Sequence, residues 1–172
     1  MIDSRIYDLI PHREPMLLIN RIIELAGNFS CAEITISEQS SFFVAGKGVP
    51  SWIGVEYMGQ TAALIAGYQL QQGTVAPHLG LLLGTRKYEV FVPYFCAGDV
   101  LQVRCSESAV VGESLANFQC EIINLRDQRC VARAKLSVFR KPLSEYENQS
   151  QEQANEEAKA QQEIPPITGA SA

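Results

Sequence analysis

Histidine and tryptophan are scarce in this sequence, which contains two histidines and one tryptophan among 172 residues. The five cysteines are an odd number, and they show neither C-x-x-C spacing nor mixed Cys/His spacing. Disulfide frameworks and zinc sites depend on such patterns, and a nucleophilic cysteine needs a base that no histidine near in sequence supplies. We therefore expect reduced cysteines that serve packing, with no metal site and no cofactor.

Positive charge and long apolar runs are also lacking. The 14 Lys and Arg residues against 19 Asp and Glu residues give a net charge of −5, which argues against nucleic-acid binding because phosphate recognition relies on clustered basic residues. No segment approaches the roughly 18 apolar residues of a membrane-spanning helix, and the first ten residues lack a signal-peptide pattern. We expect a cytoplasmic protein that binds neither nucleic acid nor a membrane.

The composition divides the chain into a foldable part and a polar tail. The hydrophobic share of 47% supplies a core, and the charged share of 19% is low enough to leave part of the surface for a subunit interface. From Leu143 onward Gln, Glu, Ala, Ser and Asn dominate, and such a segment cannot bury enough apolar surface to offset its ordering entropy. We predict one domain over residues 1–142 and a disordered, dispensable tail over 143–172.

Hydrophobic periodicity predicts one long helix and several antiparallel strands. From Pro50 to Leu70 the sequence is apolar on nearly every side, which is typical of a buried helix; Ser51 is a suitable cap and Gly73 ends the run. Alternating or apolar segments predict strands at 16–24, 30–36, 79–92, 100–110, 113–125 and 129–141. The last four are expected to form a meander, so the layout is α+β with the sheet wrapped around the helix.

Two short segments are predicted to be irregular. Residues 6–15 are bracketed by prolines, which break regular structure and favour turns, so this segment is expected to run along the edge of the domain. Residues 46–48 read Gly-Lys-Gly, which is too short for a phosphate-binding loop and predicts a flexible one.

Glu56 stands out as a polar residue within the predicted helix. Gln60 lies one turn later on the same face, where an i,i+4 pair can form a hydrogen bond. A buried carboxyl has a raised pKa, and a carboxylic acid that stays neutral near pH 7 can act as a general acid. The carboxyl could equally reach a subunit interface and pair there with an Arg or a backbone N–H; the residues alone favour neither interpretation.

The start of the helix and the two histidines are further candidates. The first N–H groups of a helix are unpaired and carry the positive end of its dipole, so the backbone of Ser51–Ile53 could hold a thioester oxygen, although Ser51 could simply cap the helix. His12 in the proline-bracketed loop and His78 after Pro77 are in settings more typical of structural or exposed histidines.

Three motifs in this sequence resemble those of the 3-hydroxyacyl-acyl-carrier-protein dehydratases. Residues 9–21 read LIPHREPMLLINR, similar to L-x-P-H-R-x-P-(F/M)-L-L-(V/I)-(D/N)-R. Residues 50–60 read PSWIGVEYMGQ, similar to P-G-x-x-x-x-E-A-M-A-Q. The run GTRK at 84–87, followed by Pro93 and by GDVL at 98–101, resembles G-x-x-K…P…G-D-x-L.

The resemblance implies a hotdog fold, an obligate dimer with an acyl tunnel at its interface, and dehydration of 3-hydroxyacyl thioesters to trans-2-enoyl thioesters. In that family a His takes the C2 proton, an acid from the opposite subunit protonates the C3 hydroxyl, and helix amides hold the thioester carbonyl. The resemblance makes Glu56 and Gln60 catalytic candidates. His12 matches the family's N-terminal His, which is not its catalytic one, and it is a third catalytic candidate as a replacement for the His that is missing here. The resemblance makes Ser51, which replaces the usual Gly, together with Trp52 and Gly84 the substrate-binding candidates.

One departure from the family concerns its catalytic histidine. Residues 42–49 read FFVAGKGV where the family has F-F-x-G-H-F-P-G, so no His stands there. This pattern, with LLGTRKY at 82–88, resembles a group of predicted dehydratases in aryl-polyene-type gene clusters, which also encode a second dehydratase-like protein. His12, His78 or a partner subunit must then supply the base, and we prefer the partner. Both a homodimer and a heterodimer are compatible with the sequence.

Two other functions stay open beside dehydration. A hotdog thioesterase would use the helix carboxylate to activate water, and a dehydratase-like scaffold would bind acyl chains or a partner without catalysis. The resemblance also implies an acyl carrier protein as partner, which is acidic and would need a local basic patch; the candidates for that patch are Arg13, Lys47, Arg86 and Lys87.

Overall fold

The computed structural model describes residues 2–112 and 114–143. The predicted disordered tail lies outside these residues, except for Leu143. In chain order the elements are α1 (Arg5–Leu9), β1 (Arg21–Leu25), β2 (Phe29–Thr35), β3 (Val49–Pro50), α2 (Gly54–Gln71, preceded by a 3-10 turn at Ser51–Ile53), β4 (His78–Val90), β5 (Tyr94–Phe95), β6 (Val100–Val111), β7 (Leu115–Asn124) and β8 (Arg129–Pro142).

Six of the strands form one antiparallel sheet in the order β1-β2-β6-β7-β8-β4, while β3 and β5 form a separate two-stranded pair. The predicted four-strand meander is wrong in one respect. Strands β6, β7 and β8 follow one another as expected, but β4 pairs with β8 at the far edge. The position beside β6 is occupied by β2, so the chain must cross to the opposite edge after α2.

Helix α2 packs on one face of this sheet, and the contact forms the core. Alternate residues of β6 (Leu101, Val103 and Cys105) are fully buried beneath it. Two side chains also bond to the backbone of the helix: Ser30 Oγ donates to the Thr61 carbonyl at 2.7 Å, and Cys105 Sγ lies 3.4 Å from the Met58 carbonyl. The long predicted helix and the sheet that covers it are thereby confirmed.

The apolar composition of the helix predicted burial on every side, and this prediction is wrong. Trp52 is 65% exposed and Leu70 is 43% exposed, and half-buried residues at helical spacing connect them along one side: Val55, Glu56, Gly59, Ala63 and Ala66. We call this set, from Trp52 to Leu70, the open stripe of α2. Within residues 2–112 and 114–143, one face of the sheet covers the other side of the helix, and this side stays partly exposed.

The two segments predicted to be irregular are more ordered than expected. The short helix α1 (Arg5–Leu9) overlaps the first part of residues 6–15, and its Ile6 is fully buried. Gly67 lets this region approach α2, because a Cβ there would overlap the Leu9 carbonyl. Residues 44–48 form a tight turn closed by backbone bonds between Val44 and Gly48 at 2.9 and 3.0 Å, so the segment predicted as a loop is a hydrogen-bonded turn.

The five cysteines are free thiols, and three of them are buried as expected. Cys96 and Cys130 are exposed, so the packing role predicted for all five is wrong for these two. Among the described residues, no cluster of His, Cys, Asp or Glu is placed to hold a metal ion. Neither helix in that part of the chain combines the length and apolarity needed to cross a bilayer.

Candidate active site

Gln60 is the centre of a hydrogen-bond network that joins α2 to the loop before β1. Its side chain is fully buried. The Oε1 atom accepts from Leu18 N–H at 2.9 Å, and Nε2 donates to the Met16 carbonyl at 2.6 Å and to Glu56 Oε1 at 2.8 Å. Because Leu18 N–H can only donate, Oε1 must face it and the amide orientation is fixed. The predicted bond between Gln60 and Glu56 is confirmed.

Glu56 presents its two carboxyl oxygens differently. Oε1 accepts the bond from Gln60, whereas no described residue bonds to Oε2. Its side chain is 35% exposed, on the open stripe of α2, so the expectation of a buried carboxyl is wrong for the single chain. Since Oε1 is held as an acceptor, Oε2 is the atom on which a transferable proton would reside.

His12 lies against Glu56, although the two residues are far apart in sequence. The His12 Nε2 atom is 3.7 Å from Glu56 Oε1, which is ion-pair distance but too long for a hydrogen bond. Its Nδ1 atom is buried and has no hydrogen-bond partner in the described part of the chain. His12 is thus near the carboxyl, but nothing orients its second ring nitrogen.

The start of α2 is held by two neighbouring segments. Ser51 N–H donates to the Pro93 carbonyl at 3.1 Å, and the Ser51 carbonyl accepts from the Tyr88 hydroxyl at 2.5 Å. No side-chain cap bond is formed at the 3-10 turn or at the start of the α-helix, so Ser51 is not a cap. The amide of Ser51 is also occupied, which leaves Trp52 as the first amide of the turn that could meet a substrate.

Strand β4 contacts the start of α2 and the open stripe through residues on either side of Gly84. Tyr88 contacts the helix start, and a Cβ on Gly59 would lie 3.7 Å from Leu82 Cδ2. Gly84 has φ +130° with open space around it, a conformation that side-chain-bearing residues avoid.

His78 lies away from this site. It is four residues before Leu82 on β4, roughly 13 Å further along the strand toward the other end of the helix. Its Nδ1 atom is 2.9 Å from the Ala76 carbonyl. The structure therefore separates the two histidines, and only His12 is near the carboxyl.

Three of the four residues predicted to form the basic patch contact other groups of the chain. The Arg13 guanidinium donates to the carbonyls of Ile10, His12 and Tyr7, and Lys87 pairs with Glu89 at 3.1 Å. Lys47 lies over the ring of Tyr94. Arg86 is exposed on β4, two residues beyond Gly84, and is the best placed of the four for an external anion.

Sequence reasoning missed Tyr88 and Gly54. A Cβ at Gly54 would overlap the Tyr88 hydroxyl and would lie 2.9 Å from Ile122 Cδ1. The usable signal was a glycine at the first position of a long helix, where it destabilises the helix unless something approaches closely.

A large antiparallel sheet wrapped around one long central helix is the architecture of the hotdog fold. Comparison with solved structures supports this fold. The chain superimposes on the dehydratase heterocomplex ApeI:P from Xenorhabdus doucetiae with a TM-score of 0.73 and 24% identity, over 83% of this chain and 95% of that one. The PaaI protein of E. coli gives a TM-score of 0.52 at 19% identity, over 69% of this chain and 81% of that one.

The family is shown by sequence: the model of the ApeP-like dehydratases matches residues 4–151, and the chain belongs to that family. Similar relatives are 3-hydroxyacyl-[acyl-carrier-protein] dehydratases FabZ. The one from Methylobacterium nodulans is 38% identical over 76 residues, 41% of this chain and 48% of that protein. The one from Rickettsia bellii is 34% identical over 94 residues, 52% and 57% respectively. The chain thus matches about half the length of these relatives.

Proposed function

We propose that this chain is a subunit of a 3-hydroxyacyl-acyl-carrier-protein dehydratase, with Glu56 as its general acid. The observation that carries the proposal is the asymmetry of that carboxyl, in which Oε1 is held by Gln60 while Oε2 is open on the uncovered side of α2. A fixed carboxyl with one open oxygen is suited to deliver a proton to a substrate hydroxyl.

The reaction divides between three groups. A base removes the C2 proton, the electrons of that bond form the C2=C3 double bond, and the C3–O bond breaks as Glu56 Oε2 gives its proton to the departing hydroxyl, which leaves as water. Negative charge that develops on the thioester oxygen is stabilised by the Trp52 N–H at the positive end of the α2 dipole. The base and the acid then exchange protons with solvent for the next turnover.

We assign His12 the role of positioning the Glu56 carboxyl, and we do not assign it the role of base. A buried N–H without an acceptor is rarer than an unpaired acceptor, so the favoured neutral tautomer keeps Nδ1 unprotonated and carries the proton on Nε2. That proton then faces Glu56 Oε1, and Nε2 has no lone pair for a C2 proton. The base is therefore assigned to a partner subunit.

A second dehydratase-like chain is the proposed partner, and β4 with the open stripe of α2 is the proposed interface. In the part of the chain that the structure describes, strand β4 pairs with β8 alone, and it exposes Leu81, Leu82 and Leu83, the last at 63%. A long apolar edge strand is an aggregation hazard unless another chain covers it. The similar ApeI:P assembly is by its name a heterocomplex. The substrate would arrive on an acidic acyl carrier protein that docks near Arg86.

The test compares Glu56→Gln with the unaltered chain, each purified with its partner, on a 3-hydroxyacyl thioester of the carrier protein. Glu56→Gln keeps the shape but cannot donate the proton, so enoyl formation measured by mass spectrometry should fall about 10²–10⁴-fold. Assembly should be unchanged by gel filtration, and Glu121→Gln on the outer sheet face should keep full activity. His12→Ala should keep at least about a tenth of the rate, since it loses only positioning.

The outcomes separate the rival functions. Release of free carrier thiol without an enoyl product would indicate a thioesterase. Full activity of Glu56→Gln in the complex would make this chain a scaffold. An isolated chain that dehydrates at full rate, and that His12→Ala or a His78→Ala change inactivates, would refute the assignment of the base to a partner.

A further inference from the structure

The hydroxyl of Tyr88 bonds to the peptide group that carries the Trp52 amide. Tyr88 projects from β4, just after an irregularity in its pairing with β8, and donates to the Ser51 carbonyl at 2.5 Å. Burial raises the pKa of Tyr88 to about 12, so the hydroxyl keeps its proton and remains a donor throughout the neutral range.

The Ser51 carbonyl and the Trp52 N–H are the two ends of one planar peptide group. That carbonyl also accepts from Gly54 N–H, so two donors hold the oxygen end of the plane. In a trans peptide the N–H points opposite to the carbonyl, which directs the Trp52 N–H out of the helix start, where helix geometry provides no partner. The direction of this N–H is therefore set in part by Tyr88.

Gly54 leaves the space that this contact needs. A Cβ at Gly54 would overlap the Tyr88 hydroxyl, so any other residue at the first position of the α-helix would displace the hydroxyl from Ser51. A glycine that is unfavourable in a helix is thus matched to a tyrosine 34 positions later in the chain.

We propose that Tyr88 is a positioning residue for the reaction: its hydroxyl orients and polarises the Ser51–Trp52 peptide so that Trp52 N–H can hold the thioester oxygen. The inference rests on the proposed function, because it assigns that amide to the substrate. A hydrogen bond to a carbonyl strengthens the donor at the other end of the same peptide. The effect matters most where negative charge develops, which is in the transition state.

The kinetic test uses Tyr88→Phe, which removes the hydroxyl and keeps the ring. In the complex with the partner, kcat should fall about 3- to 10-fold with KM changed less than about twofold, a smaller loss than removing an oxyanion donor itself. Tyr94→Phe, on the strand paired with Pro50, is the matched control and should leave both constants unchanged. Gly54→Ala should lower kcat in the unaltered chain but add little further loss to Tyr88→Phe, because the hydroxyl that it displaces is already gone.

A spectroscopic test does not depend on activity. The chain has one tryptophan, so ¹⁵N-tryptophan labelling gives a single backbone amide signal besides the indole. Tyr88→Phe should move that amide signal upfield, as expected for a weaker and less polarised N–H, while Tyr94→Phe should leave it in place. Gly54→Ala should move it in the same direction.

Together, the two tests distinguish failure of the positioning role of Tyr88 from failure of the proposed function. An unmoved amide signal in Tyr88→Phe, or an unchanged kcat in an active complex, overturns the positioning role, as does a loss confined to KM. If the unaltered complex shows no dehydration, the proposed function fails, while a shifted amide signal still supports the contact between Tyr88 and the Ser51–Trp52 peptide. Additive losses of kcat in the Gly54→Ala, Tyr88→Phe double variant also count against the proposal.

Discussion

Gln60 should be the residue on which both the stability of the site and the orientation of Glu56 depend. Gln60→Met keeps the length and volume of the side chain but removes its amide. The change leaves the buried Leu18 N–H and the Met16 carbonyl without their partners and releases Glu56 Oε1. Each of these losses can be assigned a magnitude.

An unsatisfied buried group costs about 1–3 kcal/mol. The Leu18 N–H is buried, and the Met16 carbonyl is only partly so, so the free energy of unfolding should fall by about 2–4 kcal/mol. For a chain of this size that is a drop of roughly 5–15 °C in Tm. Turnover should fall further than stability explains, because the Glu56 carboxyl loses the donor that fixes its rotamer.

The assay is urea unfolding of the purified full-length protein, followed by circular dichroism, with turnover measured where the protein is fully folded. Gln71→Met, at the exposed end of the same helix, is the matched control because its 3.3 Å bond to the Asp8 carbonyl is at the surface. A midpoint for Gln60→Met equal to that of Gln71→Met would refute the reasoning, since the network would then contribute nothing.

Gln60→Glu should make the stability of the folded protein depend on pH through the same network. The new carboxyl can still accept from Leu18 N–H, but its second oxygen would face the Met16 carbonyl and Glu56 Oε1, which both repel an anion. The folded state then raises the pKa of the new carboxyl, so stability is lost as the pH rises above the unfolded value of about 4.3. Gln60→Glu should be less stable than Gln60→Met at pH 7 and more stable than it near pH 4, where the neutral carboxyl can accept from Leu18 N–H and donate to the Met16 carbonyl.

Two further predictions concern other parts of the chain. Gly67→Ala should destabilise the protein by at least about 1 kcal/mol in urea unfolding, because its Cβ would overlap the Leu9 carbonyl. Its control is Gly59→Ala, whose Cβ would meet only Leu82 Cδ2 at 3.7 Å. This control should instead stabilise the isolated chain by up to about 1 kcal/mol. If an acyl carrier protein docks near Arg86 as we propose, its binding should weaken with added salt and with Arg86→Glu in a titration by fluorescence anisotropy. Indifference to both would place the docking surface elsewhere.

Features of the site that depend on local spacing could be predicted from the sequence. The four-residue spacing of Glu56 and Gln60 predicts a hydrogen bond on one helix face, and the bond is present at 2.8 Å. The alternation of Ala116, Phe118 and Cys120 with polar residues likewise predicts the buried face of β7 correctly. Both signals repeat within a few residues, so no knowledge of the tertiary fold is needed to use them.

Features that depend on distant contacts could not be predicted in this way. The partners of Gln60 in the loop before β1 are 42 and 44 residues away in sequence, and Tyr88 is 37 residues from Ser51. Strand β4 pairs with β8 because β2 already occupies the position beside β6. The periodicity of a segment predicts a strand but not its neighbours in the sheet. The exposed side of α2 could not be predicted for a related reason. An apolar helix face has the same sequence pattern whether its own sheet or another chain covers it.

The open stripe of α2 connects assembly to chemistry in one physical step. Glu56 lies on the stripe and the Trp52 N–H at its end, and Leu82 of the edge strand β4 lies against Gly59 of the stripe. In the single chain this surface faces water, where the field of a helix end or a carboxyl is strongly screened. A partner that covers the stripe removes that water and strengthens each electrostatic interaction with the developing charge. The same contact that buries Leu81, Leu82 and Leu83 would therefore increase the catalytic effect that we propose for Glu56 and the Trp52 amide, independently of the base assigned to the partner.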